Sequence, residues 1–163
     1  MKTLSKTVES KTKVRFQDCD PFNHLNNGSY INYFINHRED TILEYYGLDM
    51  FKIAKETGKS WVSSSNQIAY LKPAFLMETV VIISQLFRKT DSELYVEMKM
   101  YNEDKTQLKA VIWCGFTHYD LLQQKRANHP EYLTKLFDSI LNPIEASTFE
   151  ERLLQIKSKK VSL

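Results

Sequence analysis

The chain has 163 residues, of which 42% are hydrophobic and 26% charged, and its net charge is +2. That supports one globular domain with a proper core, and the near-neutral balance argues against nucleic acid as a default partner. No apolar run approaches the roughly 20 residues that cross a bilayer, and the polar N-terminus lacks the apolar segment of a secretory signal. A cytoplasmic protein without membrane insertion is expected.

The only cysteines, Cys19 and Cys114, show neither metal spacing nor a disulfide framework, in keeping with a reducing compartment. Lysines gather at both ends (Lys2, Lys6, Lys11, Lys13 and Lys157, Lys159, Lys160) and read as solvated faces. The first dozen residues are polar and read as a frayed lead-in. The first strand is expected over 13–18, followed by a loop over 19–25 carrying Pro21. A long helix then begins at Asn26 or Asn27, either of which can cap it, and runs to Tyr46 with Gly47 as its stop. A shorter helix over 48–57 ends at Gly58. From Ser60 the period changes to that of strands: 61–71, broken by Pro73, then 78–88 with the continuous run Val80, Val81, Ile82, Ile83. Two alternating runs follow, Leu94 to Tyr101 and Leu108 to Phe116, joined by a polar turn as an antiparallel hairpin. Two helices close the chain, over 130–141 and 149–156, the latter opened by a capping-box-like Ser147-Thr148-Phe149-Glu150. The pattern predicts an α+β domain, its core over about 11–120 and a helical extension over about 128–157, with the long helix against the apolar face of the sheet.

The polar residues least explained by folding are Asp18, Asp20, His24, Asn26 and Asn27, packed where the first strand hands over to the long helix. Backbone N–H groups at a helix start are free to receive negative charge. A carboxylate beside them, Asp20, can attack a carbonyl or deprotonate water while they hold the oxyanion. The simpler reading is that Asp18 or Asp20 caps a turn. Cys19 is a poor nucleophile, because flanking carboxylates disfavour its thiolate. His24 can orient water or a substrate carbonyl, or serve as an ordinary surface residue. Asp18, Asp20 and His24 can also be weighed as metal ligands, but no fourth ligand stands nearby, and no metal is expected. Tyr30, Tyr33 and Phe34 are core residues first and pocket residues second. Ser63, Ser64 and Ser65 can donate to a ligand or simply face solvent.

The run VRFQDCDPFNHLNNGSYINYF resembles the signature of hotdog-fold acyl-CoA thioesterases of the 4-hydroxybenzoyl-CoA thioesterase type: a strand, Asp-(Thr or Cys)-Asp, a short loop, Asn-Asn and a tyrosine-bearing helix. Tyr70-Leu71-Lys72-Pro73-Ala74 is similar to a further segment of that family, and the resemblance covers roughly 11–120. It implies a hotdog fold, an antiparallel sheet wrapped around one long central helix, paired edge to edge into a homodimer or homotetramer with sites between subunits. It also implies hydrolysis of an acyl-CoA without a cofactor. By matching position, Asp20 is the base or nucleophile, the Asn27 N–H the oxyanion donor, and His24 an assisting group. Tyr30 and Phe34 would line the acyl pocket, Ser64 and Ser65 would meet substrate, and Lys72 would meet coenzyme A phosphates. An acyl-ACP thioesterase, a non-catalytic acyl-CoA-binding protein and, more weakly, a hotdog hydratase or dehydratase are the alternatives. Two departures stand out: Asn23 replaces a usual glycine, and Ile35 stands where many members carry a glutamate before Arg38.

Overall fold

The structure, a computed structural model, describes residues 3–161, without the side chains of Lys160 and Val161; Lys2 and the Lys160 side chain lie outside the described residues. Strand β1 (Thr7–Lys13) opens the chain. The expected lead-in is therefore a strand, and the strand expected over 13–18 is not formed there. Val14 is buried, but Phe16–Asp18 forms a 3-10 turn instead of extended chain. The reason lies in the composition of β1. It is an edge strand pairing only with β3 (Thr79–Lys89), and of its seven residues only Val8 is buried, so it carries no apolar alternation.

A second 3-10 turn, Asn27–Ser29, is capped by Asn26 and leads into α1 (Tyr30–Tyr46). Its buried residues, Tyr30, Tyr33, Phe34, His37, Thr41 and Ile42, recur at three and four positions and make the stripe that faces the core. Gly47, at φ 66°, terminates it in the left-handed conformation that an L side chain avoids. Helix α2 (Met50–Thr57) starts at Asp49, whose carboxylate accepts the Lys52 N–H at 3.0 Å.

Strands β2 (Lys59–Tyr70), β3, β4 (Glu93–Asn102) and β5 (Leu108–Asp120) lie close to their expected bounds. All pairings are antiparallel, in the order β1-β3-β4-β5-β2, with a short β6 (Lys125–Arg126) added to β5. Strand β2 is thus the second edge. A bulge interrupts its pairing with β5 between Ser63 and Ser65. Opposite that bulge Gly115 is required, since a Cβ there would stand 2.5 Å from Ser65 Oγ.

The sheet has two covered faces. On the inner face Val80, Ile82, Val96, Met98, Ala110, Ile112 and Cys114 pack with Tyr30 and Phe34 of α1 and with Leu133, Phe137 and Ile140 of α3 (Glu131–Ile140). On the outer face Phe87, Val111 and Trp113 pack with Phe149 of α4 (Phe149–Val161). There Glu97, 2% exposed, receives Arg152 through Nε and Nη2, both at 2.7 Å, and Trp113 Nε1 at 2.8 Å. Burial pushes the Glu97 carboxyl up, but those donors outweigh it and hold it below its ordinary value. The cap of α4 sits one residue later than expected. Thr148 Oγ1 accepts the Glu151 N–H, and Glu151, rather than Glu150, reaches back to the Ser147 N–H and hydroxyl.

Candidate active site

Between β1 and α1 the chain makes a tight polar loop. Asp20 closes it: its N–H donates to His24 O at 2.8 Å, and its carbonyl accepts the Asn23 N–H at 3.0 Å. Its Oδ1 accepts the backbone N–H groups of Phe22 at 2.9 Å and His24 at 3.1 Å. Asn23 takes φ 62°, the left-handed conformation asparagine tolerates best after glycine, so its replacement of the usual glycine keeps the loop. Asp20 therefore caps its own turn, as the simpler reading expects. One oxygen shapes the loop, while Oδ2 accepts no hydrogen bond among the described residues.

Asp18 has a different task. Its Oδ2 accepts the Tyr33 hydroxyl at 2.6 Å, and that hydroxyl accepts the Arg15 N–H at 3.0 Å. Burial and the Asp18 hydrogen bond push the Tyr33 phenol up to about 12, so it stays a donor. Cys19 lies between the two aspartates, and its thiol is raised by burial and by their charges, which disfavours the thiolate.

At the start of the 3-10 turn the N–H groups divide unequally. Gly28 N–H goes to Asn26 Oδ1 at 3.0 Å and Ser29 N–H to Asn26 O at 2.8 Å. The Asn27 N–H has no partner among the described residues. The Asn27 carbonyl is fixed by the Tyr70 hydroxyl at 2.9 Å, and the Tyr70 ring meets Tyr30 edge to face at 5.1 Å.

Asp20, His24, Asn27, Tyr30 and Lys72 line one cleft of about 200 Å³, together with Tyr70 and Pro73. The His24 ring packs edge to face on Phe75, with centroids 5.1 Å apart. Three other residues named from the sequence are not brought there. Phe34, expected in a pocket wall, is fully buried in the core and lines neither this cleft nor the larger cavity beyond it. Ser64 and Ser65 are exposed on the β2 edge and line neither this cleft nor the larger cavity beyond it. Among the described residues no group of three His, Cys, Asp or Glu side chains is placed to hold a metal ion, and no helix is long and apolar enough to cross a membrane.

Sequence reading missed two supports of the cleft. Tyr70 anchors the turn at Asn27, and its motif neighbours gave the signal. Lys109, 3% exposed, donates Nζ to the Pro73 carbonyl at 2.9 Å and stands in an ion pair 2.9 Å from Glu78 Oε1, and so fixes the segment after β2. Four backbone hydrogen bonds then join that segment to the Asp20 loop and its approach: Val14 to Glu78 O, Leu25 to Ala74 O, Leu76 to Asn23 O and Met77 to Val14 O, all between 2.7 and 2.9 Å.

A second, larger cavity of about 300 Å³ lies further along α1, walled by α1, the inner sheet face and α3. Arg38 borders it, and burial brings its guanidinium down to about 10, still charged at neutral pH.

This fold has relatives. A 1,4-dihydroxy-2-naphthoyl-CoA thioesterase from Synechocystis superimposes with a TM-score of 0.73 at 14% identity, over 82% of this chain and 95% of that one. A hypothetical protein from Staphylococcus aureus, solved in complex with CoA, gives 0.76 at 13% identity over 91% and 92%. YbaW of Escherichia coli, whose structure is described as that of a probable thioesterase, gives 0.70 at 25% identity over 82% and 98%. The fold they share is the expected one, a curled antiparallel sheet around a central helix. A comparison with curated proteins finds no match. The thioesterase-like superfamily matches residues 14–137, from just after β1 to within α3. Since that match takes in the Asp20 loop, α1 and the whole sheet beyond β1, the chain belongs to the thioesterase-like superfamily, and thioester hydrolysis is the chemistry that membership brings to it.

Proposed function

We propose that the protein hydrolyses an acyl-CoA thioester, with Asp20 as general base or nucleophile and the Asn27 N–H as oxyanion donor. One observation carries this reading. An uncommitted carboxylate oxygen and an uncommitted N–H at a helix start border the same cleft, as acyl transfer requires. The Phe22 and His24 N–H groups and the Asn26 side chain hold these two in place. His24 positions water or the carbonyl, and Tyr30 closes the cleft beneath. The thiolate leaves readily, so the chain need only place water and stabilise charge. Exposed Lys72 suits a coenzyme A phosphate, and the CoA-bound Staphylococcus aureus relative supports CoA over a protein-borne pantetheine as carrier.

The site is read as completed by a second copy. Strand β2 pairs on one side with β5 and has no partner on the other among the described residues, along twelve residues that end at the cleft in Tyr70. So long an unpaired edge invites an antiparallel copy, which would bring the partner's Ser64 and Ser65 region to the shared seam. Purified Asp20→Asn protein assayed on a panel of aliphatic and aromatic acyl-CoA esters tests the central assignment. It fails if the variant turns them over at the wild-type rate. Sedimentation of the intact chain tests the dimer, and a monomer at assay concentration would remove it.

A further inference from the structure

The larger cavity runs along one stripe of α1, marked by Ile31, Ile35, Arg38 and Ile42, and is closed from α3 by Phe137 and Ile140. Ile31 lies four residues, about one helical turn, beyond Asn27, and Arg38 lies seven residues further, about 10 Å at 1.5 Å per residue. Both spaces also border β2, the cleft at Tyr70 and the cavity at Trp61 and Ser63, so they occupy successive lengths of one α1–β2 seam.

The wall is mostly apolar, which makes Arg38 conspicuous. A guanidinium offers five N–H donors. Arg38 directs one of them, from Nη1, to Ser84 Oγ at 3.2 Å. None of the ion pairs among the described residues includes it, and Glu39, the one acid that also borders the cavity, does not pair with it. Ile35, one turn earlier on the same stripe, offers no carboxylate either. A cation drawn out of water is costly unless an anion meets it. Here the protein supplies the donors and the space but pairs no acid with the guanidinium. By contrast Arg152, the other half-buried arginine facing the sheet, has its carboxylate in Glu97 at 2.7 Å.

We propose that the cavity receives the acyl group of the substrate, and that Arg38 selects acyl groups carrying a carboxylate at the end remote from the thioester. The apolar wall takes the methylene body, and the guanidinium takes the terminal anion through charge-assisted hydrogen bonds. The substrate class is thus the mono-CoA thioester of an aliphatic dicarboxylic acid. The inference rests on Asp20 and Asn27 marking the thioester end.

The test reads binding apart from turnover. Sebacyl-CoA and decanoyl-CoA differ only in the remote carboxylate, and both are titrated calorimetrically into Asp20→Asn protein with and without Arg38→Gln. The expected result is at least about ten-fold tighter binding of sebacyl-CoA when Arg38 is present, as for a hydrogen-bonded charge, falling to near parity in the double variant. Equal or tighter binding of decanoyl-CoA with Arg38 in place, or a ratio unmoved by Arg38→Gln, overturns the proposal. Should the double variant not fold, the chain that keeps Arg38 is titrated with the methyl ester of sebacyl-CoA. Loss of the ten-fold advantage on esterification supports the proposal, and its retention overturns it. A wild-type protein that hydrolyses neither thioester would remove the Asp20 assignment and leave the binding ratio to judge Arg38.

Discussion

Two carboxylates, Asp20 in the polar loop and Glu97 on the outer sheet face, show how differently one functional group is used. Glu97 is buried, and both its oxygens are filled by the Arg152 fork and the Trp113 indole. Asp20 is half-buried, with one oxygen filled by two loop N–H groups and the other uncommitted. Saturation makes the first a clamp that fastens α4 to the sheet. Incompleteness suits the second to the role proposed for it, because a base needs an acceptor that the fold has not consumed.

That contrast can be broken by experiment. Replacing Asp20 with asparagine keeps an oxygen for the Phe22 and His24 N–H groups, so stability should hold while kcat/KM falls by about 10²- to 10⁴-fold, the range for a lost general base; steady-state assays and a melting curve on the same sample read both. Arg152→Leu should do the reverse. It takes away the main partner of Glu97, leaving Lys99 at 3.7 Å and the Trp113 indole. The cost should be about 3 kcal/mol, the low end for a broken buried pair, visible as a lower urea midpoint, with activity per folded molecule retained. An Arg152→Leu protein that lost activity without losing stability would erase the distinction.

Acid sharpens the comparison further. Burial, then the Arg38 charge, brings His37 down to about 4, and burial, then His118 and Lys89, does the same for His129. In the unfolded chain both titrate near 6.5, so between about 6.5 and 4 the unfolded state holds more protons than the folded one. Stability is therefore full above about pH 6.5 and declines as pH falls toward 4, by up to about 3 kcal/mol per histidine at 1.36 kcal/mol per pH unit. Urea midpoints across that interval should fall in wild type and fall less steeply in His129→Gln. The smallest effect belongs to Asn26, whose side chain caps the Gly28 N–H at the turn holding Asn27. Asn26→Ala should cost about 1 kcal/mol and reduce kcat more than it raises KM, because the turn that aims the Asn27 N–H loosens.

Much of this was legible in the sequence, for identifiable reasons. Helix α1 announced itself through an apolar stripe and a terminating Gly47, and β4 and β5 through strict alternation on a sheet that buries a regular inner face. The site cluster stood out because its polar residues had no folding role visible in the pattern. What escaped was structure held by backbone pairing alone. Strand β1 is nearly all polar, since an edge strand needs only Val8 for the core, and β6 is two charged residues. The division of labour within Asp20 also escaped, because which oxygen a loop consumes depends on φ and ψ rather than on residue type. Arg38 gave no warning either. A charge on a helix reads as solvated until the sheet and α3 are seen around it.

The four backbone hydrogen bonds that join the Asp20 loop and its approach to the segment after β2 carry a further consequence. They are made by N–H and C=O groups that almost every amino acid possesses, so the seam between the two segments hardly depends on which side chains flank it. Substitutions can therefore accumulate through both segments while the acid and the turn keep their mutual position. That tolerance accords with a Staphylococcus aureus protein at 13% identity whose backbone still superimposes with a TM-score of 0.76. Sequence drift here is absorbed by a scaffold written in main chain.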